Sequence, residues 1–238
     1  MTIAKLRREL AAAGDPRRAA SAVWFFKTGK GQYGEGDRFI GVPVPALRKI
    51  ALCYMHVSLA DLKQLLASKI HEHRAAALEI LVAQYKGADA AGRQAIFDFY
   101  LANTARINNW DLVDTSARDI VGGHFLERGK KILYRLARSA SVWERRIAIV
   151  ATLKFLKAGH TIETFRLAKL LLADPHDLIH KAVGWALREA GKVSPGELRK
   201  FLEENYGALP RTTLRYGIER FSPAERKRWL ALKNRARK

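Results

Sequence analysis

Apolar residues recur at three- and four-residue intervals along almost the whole chain, as in Leu62, Leu65, Leu66 and again in Ala75, Leu78, Leu81, Val82. An α-helix brings such positions onto one face because it turns once every 3.6 residues, whereas a half-buried strand needs strict alternation. No convincing alternating run is present, so the pattern predicts an all-α protein. Start signals agree. Ser58, Asn108, Ser141, Thr161 and Ser194 stand where a side chain would cap the first free amides. Pro45, Pro195 and Pro223 suit first turns, where a missing N–H costs nothing. Helices of roughly ten to seventeen residues joined by short loops are predicted.

The helical segments also repeat. HEHRAAALEILVAQYKG from His71, NNWDLVDTSARDIVGG from Asn108, SVWERRIAIVATLKFLKAG from Ser141 and HDLIHKAVGWALREAGK from His176 share a polar or aromatic opening, one charged residue and an apolar stripe. Their spacing of roughly 35 to 40 residues fits two antiparallel helices per unit, as in a HEAT-like α-solenoid whose pairs bury their apolar faces on their neighbours. The chain is therefore expected to be a single array over residues 1–238. Within it, N-terminal helices and a Gly-rich loop would occupy 1–57, core repeats 58–207 and capping helices 208–238.

Charge narrows the partner. With 43 Lys and Arg against 23 Asp and Glu, the net charge is +20, which points to a polyanion: each phosphate neutralised releases condensed counterions. A basic concave groove is expected to hold it. No apolar run approaches the ~20 residues that span a bilayer. No helix pairs a basic face with a broad apolar one, which argues against a membrane surface. MTIAKLRREL is followed by no apolar segment, so a cytoplasmic location is expected. Cys53 is the only cysteine, which excludes an internal disulfide and a zinc site built mainly on thiolates, and the lack of an obvious His partner argues against a thiol nucleophile. Gly29, Gly31 and Gly34 spell GxGxxG without a preceding strand, so the segment reads as a flexible loop whose Lys27, Lys30 and Arg38 are candidates to touch phosphates. His176 and His180 are four apart without a companion metal ligand, and His71 and His73 are expected to be exposed. The terminal RKRWLALKNRARK reads as a solvated basic helix adding nonspecific DNA affinity. Neither metal nor organic cofactor is implied.

Aligning the four repeated segments puts Arg74, Asp114, Arg146 and Lys181 at equivalent positions, which stacked units would present to one surface. Three are cationic. Asp114 opposes phosphate binding and must either pair with a neighbour or act chemically. Trp110 lies four residues before it, on the same helix face, and Trp185 lies four residues after Lys181. Two readings stand at this point. Either the tryptophans are core residues and Asp114 bridges to Arg118 or Arg146, or Trp110, Asp114, Arg146 and Trp185 surround one nucleotide.

The strings NNWDLVD, VWERRIAI and HKAVGWALREA resemble those of the AlkD-type DNA alkylation repair proteins, HEAT-like-repeat glycosylases for cationic alkylpurines, over nearly the whole chain. That resemblance implies that Asp114 is the catalytic carboxylate and that Trp110 and Trp185 are the flanking aromatics. It further implies that Arg146 binds a phosphate and that Lys154 and Arg188 contact the DNA backbone. The implied activity is a monofunctional, monomeric glycosylase that removes 3-methyladenine and 7-methylguanine from double-stranded DNA in base excision repair, without full base extrusion and without an obligate protein partner. Where the family often places a tyrosine before a lysine, this chain has Trp24, Phe25, Phe26, Lys27, so the aromatic face is kept and the hydroxyl is not. Phe25 and Lys27 are the expected DNA contacts there. The alternative class is a noncatalytic solenoid that binds damaged or branched DNA or another polyanionic assembly.

Overall fold

A computed structural model describes residues 2–232. It is all-α: among the described residues there is no strand, only an isolated parallel bridge between Arg38 and Ile70. The chain divides into two compact units, the first ending at Ile120 and the second beginning at Val121.

The first unit holds α1 (Ile3–Ala12), α2 (Pro16–Phe25), α3 (Val44–Leu52), α4 (Leu59–Leu66), α5 (His71–Gly87), α6 (Ala90–Ala102) and α7 (Trp110–Ala117). Its centre is α5, which packs against α3, α4 and α7. Ala76, Ala77, Leu78, Ile80, Leu81, Val82 and Tyr85 are all buried, so this helix is covered on nearly every side, and even its polar first turn is inside. Ser58 caps α4 in a reciprocal box with Asp61, which satisfies two otherwise orphaned groups. Asn109, one residue later than the sequence suggested, caps α7 by accepting the Trp110 N–H at 2.8 Å. A π-helical turn over Arg118–Gly122 follows α7.

The second unit holds α8 (Gly123–Phe125), α9 (Lys131–Ala137), α10 (Val142–Lys157), α11 (Ile162–Leu170), α12 (Asp177–Val193), α13 (Pro195–Asn205), α14 (Arg211–Gly217) and α15 (Pro223–Ala231). Here α10 is the covered helix, packing against α9, α11 and α12. By contrast α12 is one-sided. Ile179, Ala182, Val183, Ala186, Leu187 and Ala190 form its buried stripe at 3–4 residue spacing, and its largest partner is α14. Gly184 makes that packing close, because a Cβ there would lie 2.5 Å from Tyr216 Cβ and 2.8 Å from the Thr213 carbonyl oxygen.

The four repeated strings all open at or beside helix starts, at α5, α7, α10 and α12. Ser141 caps α10 and Pro45, Pro195 and Pro223 occupy first turns as expected, whereas Thr161 and Ser194 precede helices without a side-chain cap bond. Several helices are shorter than ten residues, α9 having seven. The α4–α5 and α9–α10 pairs each join a short helix to a long one, and the long helix supplies most of the core. No helix among the described residues is long and apolar enough to cross a membrane. Of the terminal basic run, residues 226–231 lie on α15 and residues 233–238 fall outside the described residues.

Candidate functional site

In the first unit Trp110 opens α7 and Asp114 follows one turn later, both half-buried, so the expected shared face exists. The indole is held by the end of α2. Phe26 stacks on Trp110 at a centroid separation of 5.3 Å and Phe25 meets it edge-on at 5.7 Å. Phe39 then stacks on Phe26 at 5.0 Å, extending the cluster into the segment between α2 and α3. Phe25 therefore touches Trp110 as well as Phe26, while more than half of Phe25 faces solvent. Lys27 is exposed and adopts φ of 50°, a left-handed conformation that reverses the chain as α2 ends.

Beneath these rings lies a polar network that the sequence reading missed. His71, 3% exposed, sits against Phe39 and Phe26 with centroids 4.8 and 4.9 Å away. Its Nδ1 pairs with Asp37 at 3.1 Å and its Nε2 with Asp111 at 2.7 Å. Burial opposes the imidazolium, but the Asp111 charge and the two carboxylate hydrogen bonds outweigh it and the opposing Arg74, raising the pKa to about 9. Asp37 is also held below its ordinary value: burial pushes it up, and its bonds to His71 and Arg74 pull it further down.

Arg74 donates to both Asp37 oxygens at 2.7 and 2.8 Å and to the Ser68 carbonyl at 3.0 Å. Glu72, also buried, accepts the Gly41 amide at 2.7 Å and the Ile40 amide at 3.1 Å. The Gly-rich segment is thus tied to α5 at Asp37, Ile40 and Gly41.

Three expectations are corrected here. His71 and His73 are buried rather than exposed, the latter bonded through Nδ1 to Ser68 Oγ at 2.9 Å. Arg74 is 3% exposed and engaged by Asp37, so it holds the fold instead of offering its guanidinium to a phosphate. The loop read as merely flexible carries Asp37, the central anion of the network. One signal was present: Asp111 and His71 both belong to the polar openings of repeated segments, where side chains of successive helices meet.

Asp114 also acts on Tyr100. That fully buried hydroxyl exchanges a 2.9 Å hydrogen bond with Ser116, and burial together with the Asp114 charge raises its pKa, keeping it protonated.

The second unit carries the other expected residues. Lys181, Trp185 and Arg188 form a half-buried stripe of α12 opposite its core stripe. Lys181 pairs with Asp177 at 2.8 Å, and Arg188 is bridged by Glu189 and Glu219. Arg146 on α10 is 5% exposed and donates to the Leu178 carbonyl at 2.6 Å, which joins α10 to the start of α12. Lys154, two turns further along α10, stands beside the close approach of Gly122, where a Cβ would meet Lys154 Cβ at 2.7 Å. His176 caps α12 by accepting the Leu178 N–H, and His180 Nε2 contacts the Asp174 carbonyl oxygen at 2.5 Å. Among the described residues no group of three potential ligands could hold a metal ion.

Comparison with known proteins places this geometry in context. The chain is similar in structure to a predicted DNA alkylation repair enzyme from Enterococcus faecalis, with a TM-score of 0.69 and 17% sequence identity over 88% of this chain and 97% of that one. At that identity the likeness speaks for the fold alone. No curated protein matches. The model of the family described as DNA alkylation repair enzyme matches residues 6–221, which include the Trp110–Asp114 helix, the buried network beneath it and the α12 stripe, and the chain belongs to that family.

Proposed function

We propose that the protein is a monofunctional DNA glycosylase that releases cationic N3- or N7-alkylated purines from double-stranded DNA, with Asp114 as its catalytic carboxylate. Membership of the DNA alkylation repair family supports a role in repairing alkylation damage. The observation that carries the finer reading is the pairing on α7 of an indole held by Phe25 and Phe26 with a half-buried carboxylate one turn later.

A purine alkylated at N3 or N7 is already cationic. When its glycosidic C–N bond breaks, the bonding electrons return to the ring and the base leaves neutral, so no general acid is required. Charge then develops on the deoxyribose as an oxocarbenium-like species, and a nearby carboxylate stabilises it. Water forms the new bond at C1′ and gives up its proton to Asp114 or to solvent. Tryptophan faces attract cations by roughly 0.5–2 kcal/mol, so Trp110, one turn before Asp114, favours cationic lesions over neutral ones such as hypoxanthine, and Trp185 is assigned as a second aromatic contact to the DNA. Lys154, Lys181, Arg188, Phe25 and Lys27 are assigned to the DNA backbone and its bases, whereas Arg146, buried and bonded to the Leu178 carbonyl, is assigned to holding the start of α12; the protein acts as a monomer.

The test is release of free base from duplex DNA containing 7-methylguanine, with wild type and Asp114→Asn compared at matched binding saturation. Wild type is expected to release the base, and D114N to bind DNA as tightly or more tightly while releasing none. Release by neither protein would move the chain to the noncatalytic DNA-binding class. Equal release by both would remove Asp114 from the reaction.

A further inference from the structure

The most anomalous surface in the first unit is α2. None of its ten side chains is buried, yet it carries Trp24 at 84% exposure, with Phe25 at 55% and Val23 at 48%. An indole this exposed is a candidate contact, since a large aromatic left open to water has its face available to a partner. Phe25 is accounted for by Trp110, but Trp24, one residue earlier and about 100° around the helix, is not.

The neighbours of Trp24 define what would fit. On its own stripe, Ser21 and Ala20 lie three and four residues before it and are small and exposed, so the indole face is uncovered. Arg17 lies seven residues before it and Lys27 three after, both exposed. Arg18, Lys30 and Arg38 add further exposed cations around the helix and the loop that follows. The nearby acids are engaged locally: Asp15 accepts the Arg17 and Arg18 amides at the helix start, and Glu35 accepts the Gly31 amide at 2.7 Å. An uncovered aromatic face with exposed cations before and after it along the chain suits one nucleotide, the base on the ring and the phosphates on the charges. A lipid surface would instead favour a broad apolar face, which this stripe, with Ser21 and its cations, does not offer.

We propose that Trp24 stacks on an unpaired base of a DNA strand, with Arg17 and Lys27 holding the flanking phosphates, as a contact separate from the Trp110–Asp114 face. The proposal rests on DNA being the partner, as in the reading above, but not on base release.

Three fluorescein-labelled undamaged DNAs test it by anisotropy at one salt concentration: a fully paired duplex, the same duplex with one bulged thymine, and the single strand. Wild type is expected to prefer the bulged duplex and the single strand to the paired duplex. Trp24→Ala should reduce affinity for those two by roughly five- to a hundredfold and leave the paired duplex nearly unchanged, and Trp24→Phe should keep most of the preference. Since Trp24 buries nothing, both variants are expected to melt with wild type.

An unchanged preference in W24A, or an equal loss on all three DNAs, would overturn the proposal. So would a wild-type-minus-W24A emission difference that responds to phosphatidylglycerol vesicles but not to DNA. Because the DNA is undamaged, failure here leaves excision untouched, and absence of excision leaves this preference standing.

Discussion

His71 couples the aromatic cluster under Trp110 to pH. The charged groups that face it are Asp37 from the loop, Asp111 from α7 and Arg74 from its own helix, while Phe26 and Phe39 cover it without charge. With its pKa raised to about 9 from 6.5, the folded state binds the proton more tightly than the unfolded chain does. The resulting stabilisation is complete below pH 6.5 and is lost as pH rises through about 9. At 1.36 kcal/mol per unit it is on the order of 3 kcal/mol. Asp37 has the opposite sign, since its pKa is lowered, and its contribution disappears as pH falls below the ordinary carboxylate value. The thermal midpoint is therefore expected to decline between pH 6.5 and 9. In His71→Gln that decline should be absent and the protein less stable at neutral pH; a wild-type midpoint flat across this range would show that the imidazolium is not held as described.

At the scale of elements, helix positions were readable because caps and spacing are local. Ser58, Ser141, Pro45, Pro195 and Pro223 mark helix starts from within a few residues. The Trp110–Asp114 face was equally legible, being set by one helical turn. Arg74, His71 and His73 were misplaced because their burial depends on partners elsewhere, and nothing near Arg74 announces Asp37, 37 residues away. That Phe25 and Phe26 are the rings meeting Trp110 likewise depended on where α7 packs.

Gly184 shows the same division. Nothing in the spacing of HKAVGWALREA sets Gly184 apart, and only the contact of α12 with α14 shows that a methyl group would meet backbone, at the Thr213 carbonyl oxygen 2.8 Å away. Because a carbonyl in α14 cannot rotate aside, Gly184→Ala should destabilise by about 1–3 kcal/mol despite its better helix propensity. Chemical denaturation measures this, and a stabilised variant would show that α14 shifts freely.

Over the whole molecule, a net charge of +20 predicts tight, strongly salt-dependent DNA binding, but the sum does not say which cations meet phosphates. The structure separates them by what already holds them. Arg74 is buried on Asp37, and releasing it would strand that carboxylate inside. Lys27 is exposed at the end of α2, beside the rings that hold Trp110. Lys181 has an exposed i,i+4 partner in Asp177, and a pair of that kind contributes little and exchanges readily for a phosphate.

The logarithm of the binding constant against the logarithm of salt concentration distinguishes these roles, since each phosphate contact on duplex DNA contributes about 0.9 to the slope. Lys27→Ala and Lys181→Ala are each expected to lower the slope by about that amount with no change in melting temperature. Arg74→Ala should leave the slope intact and cost about 3–5 kcal/mol of stability, the range for breaking a buried ion pair. A slope reduced by R74A and untouched by K27A would mean that the fold opens on DNA to release Arg74, and the buried network would then be part of the binding surface rather than its support.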